Sequence, residues 1–125
     1  MPLLDLDTDA IVIGERLAEG APLIACLCAQ WCGSCREYRD VFEQISAQSP
    51  ELCFVWIDIE NQAEVADAFD VDNFPTIVIE EKETTRFLGA LLPQRGVLER
   101  LLAEFTKLPG ISTTARLRPL LAAQE

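Results

Sequence analysis

Apolar residues fall into short blocks along this chain, separated by polar and turn-forming stretches. Leu3 to Leu6 reads as a short first strand. Thr8 or Asp9 is placed to cap a helix running to about Glu19, with Ile13 and Leu17 on one face and Gly20 as its stop. Leu23-Ile24-Ala25-Cys26-Leu27-Cys28 is continuously apolar, the pattern of a central strand covered on both faces. From about Cys32 to Gln48 the period becomes helical. Tyr38, Phe42 and Ile45 form an inner face there, while Arg36, Glu37, Arg39, Asp40 and Glu43 face water. Leu52-Cys53-Phe54-Val55-Trp56-Ile57-Asp58 reads as another buried strand. Asn61 is positioned to cap a short helix with Val65, Ala66 and Phe69 inward, and Asn73-Phe74-Pro75 punctuates the chain. Thr76-Ile77-Val78-Ile79 is β-branched, and a turn through Glu81, Lys82 and Glu83 joins it to Thr84–Leu88 as a hairpin. Gly89 breaks that pattern. Pro93 or Gln94 then opens a last helix to about Phe105, with Val97, Leu98, Leu101 and Leu102 inward.

The predicted order is β-α-β-α-β-α-β-β-α. Parallel strands joined by helices, followed by an antiparallel pair, make an α/β fold with a mixed central sheet and helices on both faces. A length of 125 residues suits one domain with a real core. Residues 1–106 complete the plan, and residues 107–125 form a C-terminal extension. In that extension Leu108-Pro109-Gly110 ends the final helix, and Ser112 to Leu121 is weakly helical and interrupted by Pro119. Lys107, Arg116 and Arg118 make it locally basic. Three readings stay open for it: a frayed end, a short helix docked on its own domain, or a partner-binding tail.

Composition narrows the function. No apolar run approaches the roughly 20 residues of a membrane span, so no membrane partner is expected. The first residues are acidic and lack the basic start of a secretory signal, so the expected compartment is the cytoplasm. Histidine is absent, which excludes Cys–His and Ser–His nucleophile pairs and histidine-based metal sites. The formal net charge of −11 argues against nucleic acid, since a polyanion is repelled at long range.

The chemistry-bearing stretch is Trp31-Cys32-Gly33-Ser34-Cys35. Two thiols two residues apart, after an apolar strand and at the start of a helix, point to a redox dithiol. The helix start supplies unpaired N–H groups and partial positive charge, which favour the thiolate of the first cysteine. A thiolate is the attacking species in disulfide exchange.

The chain resembles the thioredoxin family over about residues 3–106. The resemblance rests on the apolar strand, Ala29-Gln30-Trp31-Cys32-Gly33-Ser34-Cys35, the Phe74-Pro75-Thr76 turn and Gly89-Ala90-Leu91, in family order. It implies a thiol–disulfide oxidoreductase acting on protein clients without a cofactor or a bound metal. Cys32 would be the exposed nucleophile and Cys35 the buried resolving thiol. Pro75 would be cis, and the backbone around Phe74 would hold a client segment extended, much as a sheet edge captures a strand. Trp31 would pack beside the dithiol and Gly89 would admit the client backbone, so Trp31, Gly33, Ser34, Phe74, Pro75, Thr76 and Gly89 make up the expected client-binding surface. Electrons would come from a thioredoxin reductase or a small thiol.

This chain departs from the family pattern in five places, one being Asp40, which stands where thioredoxins often kink the second helix with Pro and predicts a straighter helix here. Ser34 stands where thioredoxins carry Pro and restores an N–H that can stabilise the Cys32 thiolate, making the couple more oxidising. Cys26 stands where the family buries an Asp, and Trp56 where it places a partner lysine, which predicts a drier pocket behind Cys35. Asp58 is a candidate substitute for the lost acid. Cys28 stands where the family often has a second Trp. Cys26 and Cys28 share one strand face, and three roles are open to them: small buried hydrophobes, exchange partners of Cys35, or members of a four-sulfur metal site with Cys32 and Cys35. Cys53, at a strand start, reads as inert. The rival to the enzyme is a binding or assembly module that keeps the fold and dithiol but holds one partner in its groove.

Overall fold

The computed structural model describes residues 3–29, 33–69, 75–81, 84–90, 94–107, 110, 117 and 121. Among the described residues, five strands and four α-helices of three residues or more appear in the predicted order: β1 (Leu3–Asp5), α1 (Ala10–Ala18), β2 (Leu23–Cys28), α2 (Gly33–Gln48), β3 (Cys53–Asp58), α3 (Ala63–Phe69), β4 (Thr76–Glu81), β5 (Thr84–Ala90) and α4 (Arg95–Glu104). A short 3-10 turn, Phe105–Lys107, follows α4. The strands form one mixed sheet in the order β1-β3-β2-β4-β5. β1, β3 and β2 run parallel, and β4 and β5 turn back antiparallel.

β2 and β3 lie inside the sheet and every one of their residues is buried, as their unbroken apolar runs require. The pleat then sorts their side chains between two cores. One face collects Ile24, Cys26, Cys28, Phe54, Trp56, Ile77 and Ile79 under α2 and α4. The other collects Leu23, Ala25, Leu27, Cys53, Val55, Ile57 and Val78 with Ile13 of α1 and Val65 of α3. In α2 the inward residues are Cys35, Tyr38, Phe42 and Ile45, the three- and four-residue spacing of an amphipathic helix.

Three local expectations are corrected. Asp9 occupies the N-cap of α1 but makes no cap bond. Its carboxylate instead accepts the backbone N–H of Asp5 at 2.9 Å, tying the end of β1 to the start of the helix. Gly89 does not break the hairpin: β5 runs through it to Ala90, and Gly89 pairs with Ile77. Arg39 does not simply face water, as the site shows. Gly20 does stop α1, at a φ of +91° that favours glycine.

From the C-terminal extension, Leu117 and Leu121 are fully buried in the α1 face of the core. The Leu117 backbone N–H donates to the buried carboxylate of Glu80 in β4, an anchor that fixes this segment against the sheet.

Candidate functional site

β2 ends at Cys28 and α2 begins at Gly33, and the first turn of the helix lies against the strand end. This places Cys35 against Cys28. The two are joined by a disulfide, with their Cα atoms 5.7 Å apart. Both are 1% exposed. Cys28 is therefore not a mere small hydrophobe. Cys32, Trp31 and Phe74 lie outside the described residues, and for Ser34 only the helical backbone is described.

A third sulfur completes the cluster. Cys26 Sγ lies 3.6 Å from Cys28 Sγ. Since Cys28 carries no proton when bridged, the Cys26 S–H is the donor. Burial pushes the Cys26 thiol far above its ordinary range, and the nearby Arg39 guanidinium opposes that only in part. Cys26 is thus held as a neutral thiol. Of the four sulfurs considered as metal ligands, two are bonded to each other and Cys26 is protonated, which does not make a thiolate set. Cys53 sits in the opposite core, away from this cluster.

Tyr38, one helical turn beyond Cys35, faces the same cluster. Its hydroxyl is buried with no hydrogen-bond partner among the described residues. Burial, and then the neighbouring Cys26, pushes its ionisation above the usual phenol range.

Beside Cys35 opens a cavity of about 180 Å³, lined by Asp5, Asp7, Arg36, Arg39, Trp56 and Asp58 together with Ala29. Five charged side chains line it, whereas Cys26 behind Cys35 is fully buried, so the dry region is confined to Cys26. Arg39 links the two. Its guanidinium lies over the Trp56 ring at 5.2 Å, and it pairs with Asp5 at 3.3 Å and Glu43 at 3.4 Å. The indole is the floor on which a cation rests, so replacing the family lysine by Trp56 did not remove positive charge from this region. Asp58 is 6% exposed and its Oδ1 accepts the Glu60 N–H at 3.0 Å. It stands directly across the ladder from Cys28.

Thr76 pairs with Leu27, so the antiparallel register carries the buried Pro75 to the level of Cys28. Gly89 is one strand further out, opposite Ile77. The fold thus gathers Cys35, Cys28, Cys26, Asp58, Pro75 and Thr76 at one end of the sheet. Sequence reasoning missed Asp5, Asp7, Arg36 and Arg39. The available signal was Trp56 itself, an aromatic face in a strand paired with β1, beneath a helix carrying arginines.

Comparison with known proteins agrees with this architecture. The family model described as Thioredoxin matches residues 14–99. Thioredoxin C-3 of Corynebacterium nephridii is 38% identical over 72 residues, covering 56% of this chain and 50% of that protein. The H-type thioredoxin of Picea mariana is 34% identical over 77 residues, covering 60% of this chain and 59% of that protein. The chain thus spans about half the length of the curated relatives it matches. A solved poplar thioredoxin h superposes with a TM-score of 0.74 at 16% identity, covering 87% of this chain and all of that one. A solved thioredoxin of Nicotiana alata gives 0.70 at 19% identity, covering 83% and 92%. At such identities these two establish the fold.

Proposed function

We propose that this chain, which belongs to the thioredoxin family, is a thiol–disulfide oxidoreductase acting on protein clients through Cys32 and Cys35. The observation that supports the reading is that Cys35 sits in the first turn of α2, disulfide-bonded and beside a charged cavity. In the reducing direction the Cys32 thiolate attacks a client disulfide and forms a mixed disulfide, releasing one client thiolate. Cys35 then attacks Cys32 Sγ, a Cys32–Cys35 bond forms, and the second client thiolate leaves. The client gains two electrons and the protein loses two.

Client binding falls to Trp31, Gly33, Ser34, Phe74, Pro75, Thr76 and Gly89. The register that brings Pro75 level with Cys28 supports this, because it sets the β4 loop beside the start of α2. Asp58 and Cys26 are auxiliary groups, Asp58 as a proton acceptor at the cavity. A thioredoxin reductase or a small thiol returns the electrons, and no metal or organic cofactor takes part. Residues 1–106 carry the activity, with residues 107–125 an extension pinned through Leu117 and Leu121. The expected compartment is the cytoplasm, whose reducing poise suits a protein with a redox-active CxxC motif.

Reduction of insulin disulfides by dithiothreitol tests the reading. The wild type accelerates precipitation of the insulin B chain, and Cys32→Ser returns the rate to the uncatalysed background. No acceleration by the fully reduced wild type, with a partner still bound in its groove, would favour the assembly module instead.

A further inference from the structure

We propose that Cys28 is a second resolving cysteine: it takes Cys35 over from Cys32, so the oxidised protein stores its disulfide as Cys28–Cys35 and regains Cys32 as a thiol. The inference rests on the reading of Cys32 and Cys35 as the exchanging pair. It goes beyond it by assigning the resting bond to a different pair of sulfurs.

A sulfur in a disulfide has one partner. With Cys35 bonded to Cys28, Cys32 has no bond to Cys35. The chain reaches this state from the exchange product by internal attack. The Cys28 thiol, as thiolate, attacks Cys35 Sγ; the Cys32–Cys35 bond breaks and the Cys28–Cys35 bond forms. The proton lost by Cys28 ends on the departing Cys32 thiolate or in water. One disulfide is consumed and one is made, so no oxidant or reductant is needed. Asp58, across the ladder from Cys28 and lining the cavity at Cys35, is placed to pass that proton on.

One feature favours the product: both of its sulfurs are buried, out of reach of external thiols, whereas a catalytic disulfide must expose one sulfur to be attacked. Attack by Cys32 on Cys35 is the return path. Oxidised protein of this kind still presents a nucleophilic sulfur to a client while lacking the thiol that would release it.

Disulfide mapping tests this. Fully reduced protein of residues 1–125 is oxidised with stoichiometric diamide, its remaining thiols are alkylated with iodoacetamide, and it is cleaved with chymotrypsin without reduction. Cleavage after Leu27 and Trp31 separates Cys26, Cys28 and the Cys32–Cys35 segment onto different peptides. The expected product is the Cys28 peptide cross-linked to the Cys35 peptide, with the alkyl group on Cys32. A Cys32–Cys35 loop within one peptide, with the alkyl group on Cys28, would overturn the proposal. In Cys28→Ala the oxidised protein closes Cys32–Cys35, and alkylation of Cys32 falls about tenfold or more. Unchanged labelling of Cys32 in that variant would also overturn it. Insulin turnover, read on the same samples, separates the two claims. A mapped Cys28–Cys35 bond without turnover defeats the exchange function and with it the resolving role, while turnover with only a Cys32–Cys35 bond defeats the role of Cys28 alone.

Discussion

The two faces of the sheet are built from the same strands yet hold different materials. The α1 face is mostly aliphatic: Leu4, Leu23, Ala25, Leu27, Val55, Ile57 and Val78 with Cys53, closed by Leu117 and Leu121, whose backbone anchor is the buried carboxylate of Glu80. The α2 face holds three sulfurs, Tyr38, Phe42, Phe54 and Trp56, and opens at one end into a charged cavity. Phe42 is the hub of its aromatic part, edge-on to Phe54 at 5.4 Å and 6.1 Å from Tyr38 and Trp56. The contrast shows where stability and chemistry are separated. Aliphatic packing on one side supplies stability while the other carries a neutral thiol, a disulfide and a phenol whose hydroxyl has no hydrogen-bond partner among the described residues.

The largest test of that division is Leu23→Ala on the aliphatic face. Leu23 is fully buried, and truncation there costs about 2–5 kcal/mol of stability. Urea unfolding should register the loss while disulfide mapping of the folded variant stays as in the wild type. A changed cysteine pairing would mean that the two faces are not independent.

The sulfur face should reveal itself through pH. Burial raises the Cys26 thiol, so its neutral form is favoured in the folded state. Stability from this group is full below about pH 8.5, where the thiol is neutral folded or unfolded. Above that, the unfolded chain ionises first and stability falls by up to about 1.4 kcal/mol per pH unit. Tyr38 adds the same trend at higher pH, for the same reason. Cys26→Ala should flatten the fall between about pH 8.5 and 10 in guanidinium titrations. An equally steep decline in the variant would remove Cys26 from the account.

Ser34→Pro deletes one N–H from the start of α2. In the Cys28→Ala background, where oxidation closes Cys32–Cys35, the variant should be the stronger reductant by about 30 mV, a tenfold change in the glutathione equilibrium. An equal or more oxidising variant would mean that this N–H does not stabilise the thiolate. The smallest effect is expected from Tyr38→Phe. Because the lost hydroxyl has no partner among the described residues, the change should be neutral or stabilising by about 1 kcal/mol, read as midpoint denaturant concentration. A clear destabilisation would reveal a bond to the Tyr38 hydroxyl.

Much of this contrast could be read along the chain. The continuous run from Leu23 to Cys28 marks a fully buried strand, and the structure ends the strand at the same residues. The spacing of Tyr38, Phe42 and Ile45 marks the inner face of α2. Both follow from periodicity, a local property. What escaped was not local. Arg39 lies on the outer half of its helix, but a long side chain on an aliphatic stem reaches over Trp56, and only the packing of α2 on β3 brings the two together. The Cys28–Cys35 bond depends on how α2 packs against the end of β2, which cysteine spacing does not encode; CxxC spacing points to the neighbour in sequence. Asp9 illustrates the opposite limit, since its position is that of a cap while its carboxylate found a competing donor at Asp5.

The most direct test of the central claim is covalent capture of a client. Cys35→Ser removes the resolving sulfur, so incubation with a disulfide-bonded client such as insulin should yield an adduct linked through Cys32, seen by intact mass under non-reducing conditions and released by dithiothreitol. A folded variant whose Cys32 alkylates readily yet forms no adduct would contradict exchange through this cysteine.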